Sequence, residues 1–520
     1  SRPLGHASSP SSSSSSSPMA AAEPGAFRLR SLLRHLRPQG TRSPGLSVVC
    51  AAAAPAGRRH PQFEVFVNLC SVESYVSLGA VVQALQGYKL RWRSARARAK
   101  MSVAVGMMRE RADPARQSYQ LNILKTYAQM QGLPLAVPRG DIDTAAAEAA
   151  VAYLAEQESG ETVAPQFLRL CFAAIFDPVC RRPLDDEVVQ QLISEAGGDA
   201  RGFSEWPEAD RAAALEADRE AAAARGVWTT PFVVDADTEE AFIGEETLKL
   251  AALRPRRRGC SPVPGSLEMP APAAVMLAPR EAAAERARLE VYVDVKSPYA
   301  FLAIEPTYAL EEDFQVDLVW RPLLLDIQSY LGSAEVGAKD NKVKEGSNKR
   351  SPGQWRAVKY AYMNVRRYAA ERKPPLTVYG TRKIWNTTLA GTAMLYADDG
   401  GTLREFQQRL WPPFWRRELD VEDLGVIEAV LQSSGIATDG FEAFARGEGL
   451  QRLTAIQEEA RRRGVFGVPT YVLNGELFFG REHLPLLRRR LCDAGHAKRE
   501  APEVLASPYL WTRNDLFAGF

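Results

Sequence analysis

One plan occurs twice along this chain, and that duplication limits the folds open to it more than any local pattern does. Phe63–Leu69 (FEVFVNL) matches Leu289–Val295 (LEVYVDV), and Leu90-Arg91-Trp92-Arg93 matches Leu318-Val319-Trp320-Arg321. Arg225-Gly226-Val227-Trp228-Thr229-Thr230-Pro231-Phe232 matches Arg463-Gly464-Val465-Phe466-Gly467-Val468-Pro469-Thr470. The separation between matched pairs lengthens slowly and in order, as two copies of one domain with modest insertions require. A repeat of this kind sets the architecture before secondary structure is considered. At 520 residues the chain has room for two such domains. The segment between them, 253–284, is rich in Pro, Ala and Arg and reads as a linker.

Within each copy the order is strand, helix, strand, a long helical stretch, then strand, strand, helix. In the second copy the first strand is expected over 289–295, a helix from Pro298 and the second strand over 315–321. Helical periodicity follows in 354–371, 387–397, 402–418, 422–433 and 450–463. The last strands, 469–473 and 476–479, flank Asn474-Gly475, a strong two-residue hairpin signal. A final helix is expected over 481–494. A parallel strand pair joined by a helix, plus an antiparallel hairpin, is the thioredoxin plan, and the middle section is an inserted helical region. The fold class expected is therefore α/β, with two tandem thioredoxin-like domains at 61–252 and 285–496, each carrying a helical insertion.

Composition narrows the function classes. Apolar residues make up 46% and charged residues 25%, which is globular, and a net charge of +2 gives no global electrostatic case for nucleic acid or a membrane surface. No apolar run approaches the length of a spanning helix. The six cysteines (50, 70, 171, 180, 260 and 492) form no CxxC pair, and the five histidines are scattered, so neither a metal cluster nor a histidine triad is expected. Residues 1–60 differ in kind: a serine run at Ser11–Ser17 precedes an Ala- and Arg-rich stretch in which Phe27, Leu29, Leu32, Leu33 and Leu36 share one broad helix face. That is the pattern of an organelle transit peptide, for a mitochondrial or alternatively plastid location. Residues 497–520 form a C-terminal extension.

Two short signals carry chemistry. Ser297-Pro298 stands where the first strand of copy two meets a helix; Pro suits the first helical position and Ser is a good N-cap. Taken alone this is only a helix start, but a helix N-terminus also stabilises an anion, a thiolate included. Val468-Pro469 opens a distant strand, where proline is tolerated and either peptide isomer is open. With both signals in this order, and with WRPLLLDI at 320–327 and FWRRELDVED at 414–423, residues 287–495 resemble the 2-hydroxychromene-2-carboxylate isomerase and kappa-class glutathione transferase family, a branch of the DsbA-like thioredoxin superfamily.

The resemblance implies glutathione as cofactor, with Ser297 facing its sulfur and Val468, beside Pro469, pairing with its backbone. It also points to Glu482 for the γ-glutamyl ammonium and to Ser333 in the loop after the second strand. The family pattern has a small residue or Asn followed by Asp where this chain has Arg481-Glu482. The implied activity is a glutathione-dependent isomerisation or transfer on a small conjugated or aromatic acid. Lys296 reads as a solvated lysine, and Trp355, Tyr360, Tyr362 and Trp385 as core aromatics of the insert. The basic loop 337–352 reads as solvated, or as an aid to binding an acidic substrate. Copy one keeps Thr230-Pro231 and has Ser71 in the serine slot but no proline after it, and Cys70 reads as a buried structural cysteine.

Two other readings stay open. The chain could be a non-catalytic subunit or assembly protein of an organellar complex, or a homodimer in its own right. It could be a DsbA-type oxidoreductase, against which the missing CxxC argues.

Overall fold

A computed structural model describes residues 62–95, 100–102 and 114–252 except 245, 246 and 249, then 283 and 285–499 except 338–341 and 373. The leader, most of the linker, and residues 500–520 of the C-terminal extension lie outside the described residues.

Each copy is built on a four-stranded mixed sheet. In copy one, β1 (Gln62–Val67) pairs in parallel with β2 (Lys89–Ser94) and antiparallel with β5 (Phe232–Asp235), which pairs with β6 (Ala241–Ile243), giving the order β2-β1-β5-β6. In copy two, β7 (Ala287–Val293) pairs with β8 (Val316–Pro322) and β9 (Thr470–Leu473), and β10 (Glu476–Phe479) forms the edge, giving β10-β9-β7-β8. A small ribbon of β3 (Lys100–Ser102) and β4 (Asp141–Asp143) belongs to copy one. The Asn474-Gly475 turn has both residues at positive φ (50° and 82°), the conformation a two-residue hairpin needs. The expected fold class holds, and the strand ends shift by one or two residues.

The helical insertion of copy two comprises Pro352–Glu371, Thr388–Asp399, Leu403–Trp415, Leu424–Ser433, Phe441–Arg446 and Glu448–Arg462. The periodicity over 402–418 overruns the observed end because Arg417 adopts a positive φ of 63°, which closes the helix. No helix among the described residues is long and apolar enough to cross a membrane.

The repeated arginines have a shared purpose. In copy one Arg93 and Arg225 both reach Glu64, at 2.8 and 2.9 Å. In copy two Arg321 and Arg463 reach Glu290, at 3.7 and 2.7 Å. Each cluster ties the first strand to the second and to the helix that precedes the proline step. Burial would raise the Glu64 carboxyl, but the hydrogen bonds and charges of Arg93 and Arg225 outweigh it and hold the group below its usual range. A carboxyl lowered in the folded state adds stability that is present above its unfolded value and lost as pH falls through the folded one. Glu64→Gln is therefore expected to cost roughly 3 kcal/mol at neutral pH. The deficit should shrink below about pH 4, as urea denaturation at the two pH values would register. An equal deficit at both would exclude this account.

The copies pack against one another through equivalent helices. Tyr119, on the helix Pro114–Met130 of copy one, accepts a hydrogen bond from the Phe479 amide of β10 at 2.7 Å. Tyr360, on Pro352–Glu371 of copy two, accepts one from the Ile243 amide of β6 at 2.6 Å. In both cases the amide belongs to the last residue of an edge strand, whose outward groups otherwise need another partner. Tyr360 is thus an interface residue, not part of the insert's own core.

Candidate active site

The site of copy two follows from the way β7 ends. Asp294, just past the strand, is buried; its carboxylate accepts from the Lys296 and Leu325 amides at 3.2 and 2.8 Å. The Lys296 ammonium stands 3.5 Å from that carboxylate and donates to the Trp385 carbonyl at 3.3 Å. Lys296 is only 8% exposed, which corrects the expectation of a solvated lysine. Burial pushes the Asp294 carboxyl up, and the Lys296 charge and the amide bonds pull the other way. Asp294 thereby fixes the turn that presents Ser297.

Ser297 caps the helix Pro298–Tyr308, its hydroxyl accepting from the Ala300 amide at 3.2 Å. Across from it, the antiparallel register of β9 on β7 sets Thr470 opposite Tyr292, so Pro469 and Val468 run past the end of β7 toward Ser297. The Val468-Pro469 bond is cis, as is Thr230-Pro231. Ser297 Oγ donates to the Val468 carbonyl at 3.4 Å, a long contact for a hydroxyl donor. Gly467 is required beside them: a methyl group there would fall 2.6 Å from the Phe479 ring.

Ser297 and Val468 line one cavity of about 1260 Å³. Its wall includes Tyr299, Trp355, Tyr362, Tyr379, Trp385, Phe466 and Phe479. Trp355, Tyr362 and Trp385 therefore line the cavity, while Tyr362 and Trp385 also pack against the hydrophobic core, so among these three the core reading fails only for Trp355. Trp355 and Tyr362 share a face of Pro352–Glu371 that borders the cleft, and Trp385 lies in the loop before Thr388–Asp399. The charged lining consists of Arg116, Lys296, Arg350, Lys359, Arg366, Arg382, Lys383, Arg416 and Arg417, with no aspartate or glutamate among the described residues. Arg350 comes from the basic loop 337–352. Arg116, Gln117 and Gln120 come from the first copy, so both copies build this site. Nothing in the local sequence around 116–120 signals that.

Ser333 and Glu482 are not among the lining residues. Ser333 turns its carbonyl to the Lys349 amide at 2.8 Å, and Glu482 sits exposed on the short 3₁₀ turn Arg481–His483. Arg481, which departs from the family pattern, is buried over the Tyr368 ring at 4.2 Å. Asp294 escaped the sequence reading; its signal is a carboxylate closing the apolar run VYV.

The matching corner of copy one is built differently. Ser71 caps its helix through the Ser74 amide at 3.1 Å, and its hydroxyl donates to the Glu73 carboxylate at 3.1 Å. The serine proton is already engaged, and a negative charge stands beside the hydroxyl. Cys70 is buried, with its amide bonded to Asn68 Oδ1 at 2.9 Å. Trp228, in the place of Phe466, packs edge-on against Tyr360 at 5.4 Å.

The family model of the DSBA-like thioredoxin domain matches residues 73–252 and 288–492. The chain belongs to the DSBA-like thioredoxin domain family. Among curated relatives, the 2-hydroxychromene-2-carboxylate isomerase of Sphingobium xenophagum is 23% identical over 210 residues, 39% of this chain and 98% of that protein. Among solved structures, a 2-hydroxychromene-2-carboxylate isomerase is 20% identical, with a TM-score of 0.31 over 39% of this chain and 96% of that one. The cytosolic disulfide reductase DsbM of Pseudomonas aeruginosa, solved with GSH, is 16% identical, with a TM-score of 0.28 over 38% of this chain and 99% of that one. Among the described residues of this DSBA-like chain, no cysteine lines the cavity.

Proposed function

We propose that this protein is a glutathione-dependent isomerase or transferase of the 2-hydroxychromene-2-carboxylate isomerase kind, acting on a small conjugated or aromatic acid at the site of copy two. The observation that carries the reading is the meeting of the Ser297 hydroxyl and the Val468 backbone at one open cavity whose charged lining is entirely basic. Those residues fit a thiol-bearing peptide. A hydroxyl has one proton to give, and Ser297 spends it on a contact of 3.4 Å, long enough to be exchanged for a better acceptor. The same oxygen keeps its cap bond to Ala300 while the proton turns. Glutathione, when bound, supplies a thiolate nucleophile that adds reversibly to a conjugated acceptor.

The chain's own residues then do three things. Ser297 donates to the sulfur, and the helix start behind it favours negative charge there. Asp294 holds Lys296 and the turn in place without itself reaching the cavity wall. The basic lining lowers the energy of acidic groups brought to the acceptor carbon. These are stabilisations of a bound nucleophile and of developing charge, with no protein nucleophile.

Calorimetric titration of the full chain with glutathione, together with an absorbance assay on a conjugated aromatic acid, tests the reading. Binding with glutathione-dependent turnover is the expected result. The absence of both binding and turnover would sink it and turn attention to a structural subunit.

A further inference from the structure

One helix of copy one takes part in the cavity of copy two. Pro114–Met130 is seated on the segment that leads into Val468. The Arg116 guanidinium lies 5.6 Å from the centre of the Phe466 ring, and the Tyr119 ring meets Phe466 edge-on at 5.5 Å. Phe466 in turn packs on Phe479 at 4.7 Å, and the Phe479 amide donates to Tyr119 at 2.7 Å. Two turns further on, the Tyr127 hydroxyl and His483 Nδ1 are 2.7 Å apart. Gln117 and Gln120 each follow an anchoring residue directly, and they stand three apart on one helix face. Both line the cavity.

The equivalent helix of copy two shows that the contact between copies does not need these amides. With Tyr360 set on Tyr119, Val358 and Ala361 stand in the places of Gln117 and Gln120. All four line the cavity, so at matched positions one helix gives it apolar side chains and the other gives it carboxamides. Gln117 is exposed and Gln120 half-buried, and neither carboxamide bonds to another described residue. A carboxamide offers donor and acceptor together, the complement of a peptide unit, whereas a carboxylate can only accept. Phe466, on which the helix is anchored, is two residues from Val468, whose carbonyl meets Ser297. The two amides therefore border the edge of the cavity where an extended peptide would run.

We propose that copy one serves as the recognition domain of the copy-two site: Gln117 and Gln120 hold a peptide unit of the thiol-bearing ligand at the Val468 edge of the cavity, and so select a peptide thiol. Their role is binding alone, with no bond made or broken. It deepens the preceding reading and rests on it for the identity of the ligand.

Calorimetry on the full chain tests this, with glutathione and S-methylglutathione as probes. The methyl thioether keeps the peptide units but offers Ser297 no thiolate. Gln117→Met and Gln120→Met keep side-chain length and helix propensity while removing the amide contacts, and urea denaturation checks that the variants are folded. Each substitution is expected to weaken both probes about fivefold, the worth of one neutral hydrogen bond, and the pair about 20-fold. Ser297→Ala, by contrast, should weaken glutathione more than S-methylglutathione. A folded double variant that binds S-methylglutathione within about twofold of the parent would overturn the recognition role. The single Gln117→Met variant, at an exposed position, is held to the same criterion if the pair does not fold. A loss confined to glutathione would also overturn it, because the amides would then be serving the sulfur. A parent that binds neither probe would overturn this role and the preceding reading together. Glutamine-dependent binding of both probes in a chain without turnover would support the recognition role and sink the isomerase or transferase reading alone.

Discussion

Ser297→Ala is expected to lower glutathione-dependent turnover by about 100-fold, the usual consequence of removing one donor from a developing or bound anion. The apparent pKa of bound glutathione, followed by the ultraviolet absorbance of its thiolate, should rise by about one unit as that hydrogen bond is lost. The substitution also removes the cap bond to Ala300, at a cost of about 1 kcal/mol in stability. Ser297→Thr separates the two effects, because threonine keeps both the cap and the donor and should recover most of the rate. Ser71→Ala, in copy one, should leave turnover unchanged, since that hydroxyl already serves Glu73. An alanine variant within threefold of the parent would show that the hydroxyl does not face the reacting sulfur.

The largest effect on stability is expected at Asp313, far along the chain from the site residues of the loop and hairpin. Its carboxylate meets Arg488, which is 0% exposed, and Arg499; Asp313 itself is 2% exposed. Its carbonyl accepts from the Lys498 amide at 2.8 Å. Asp313→Asn leaves the Arg488 charge buried beside a neutral group and should cost about 3–5 kcal/mol in urea denaturation of copy two. Replacing both partners, as Asp313→Leu with Arg488→Met, should recover much of that loss, because no charge then remains to be solvated. A loss below about 1 kcal/mol in the single variant would mean that water reaches the pair.

How far these features can be read in the sequence varies for identifiable reasons. Arg488 stands in the stripe of Leu484, Leu487 and Leu491, so its inward direction follows from helical spacing. Its partner does not, because Asp313 lies on the far side of the insertion. The repeated arginines of LRWR and RGV mark the duplication, and only pairing of the strands brings them to Glu64 and Glu290. Lys296 looked like a surface lysine because nothing local says that Asp294 is buried beneath it. Trp355 looked like core because periodicity tells that a face is apolar, not whether protein or a cleft lies against it.

The chain by itself determined the duplication, the order of strands and helices within each copy, the Ser297 and Val468 pair, and the imbalance between the copies. Each of these depends on local preference or on order along the chain: a cap, a strand period, a proline step, a hairpin turn. The tertiary structure alone decided that a helix of copy one lines the cavity of copy two, that Arg366 and Arg417 approach Gly380, and that Ser333 and Glu482 stay out of the lining. Those outcomes depend on how separate segments pack, and the energy that selects one packing is spread over contacts between residues distant in the chain. The Tyr119 and Tyr360 bonds that join the copies are two such contacts, and neither has a local signal.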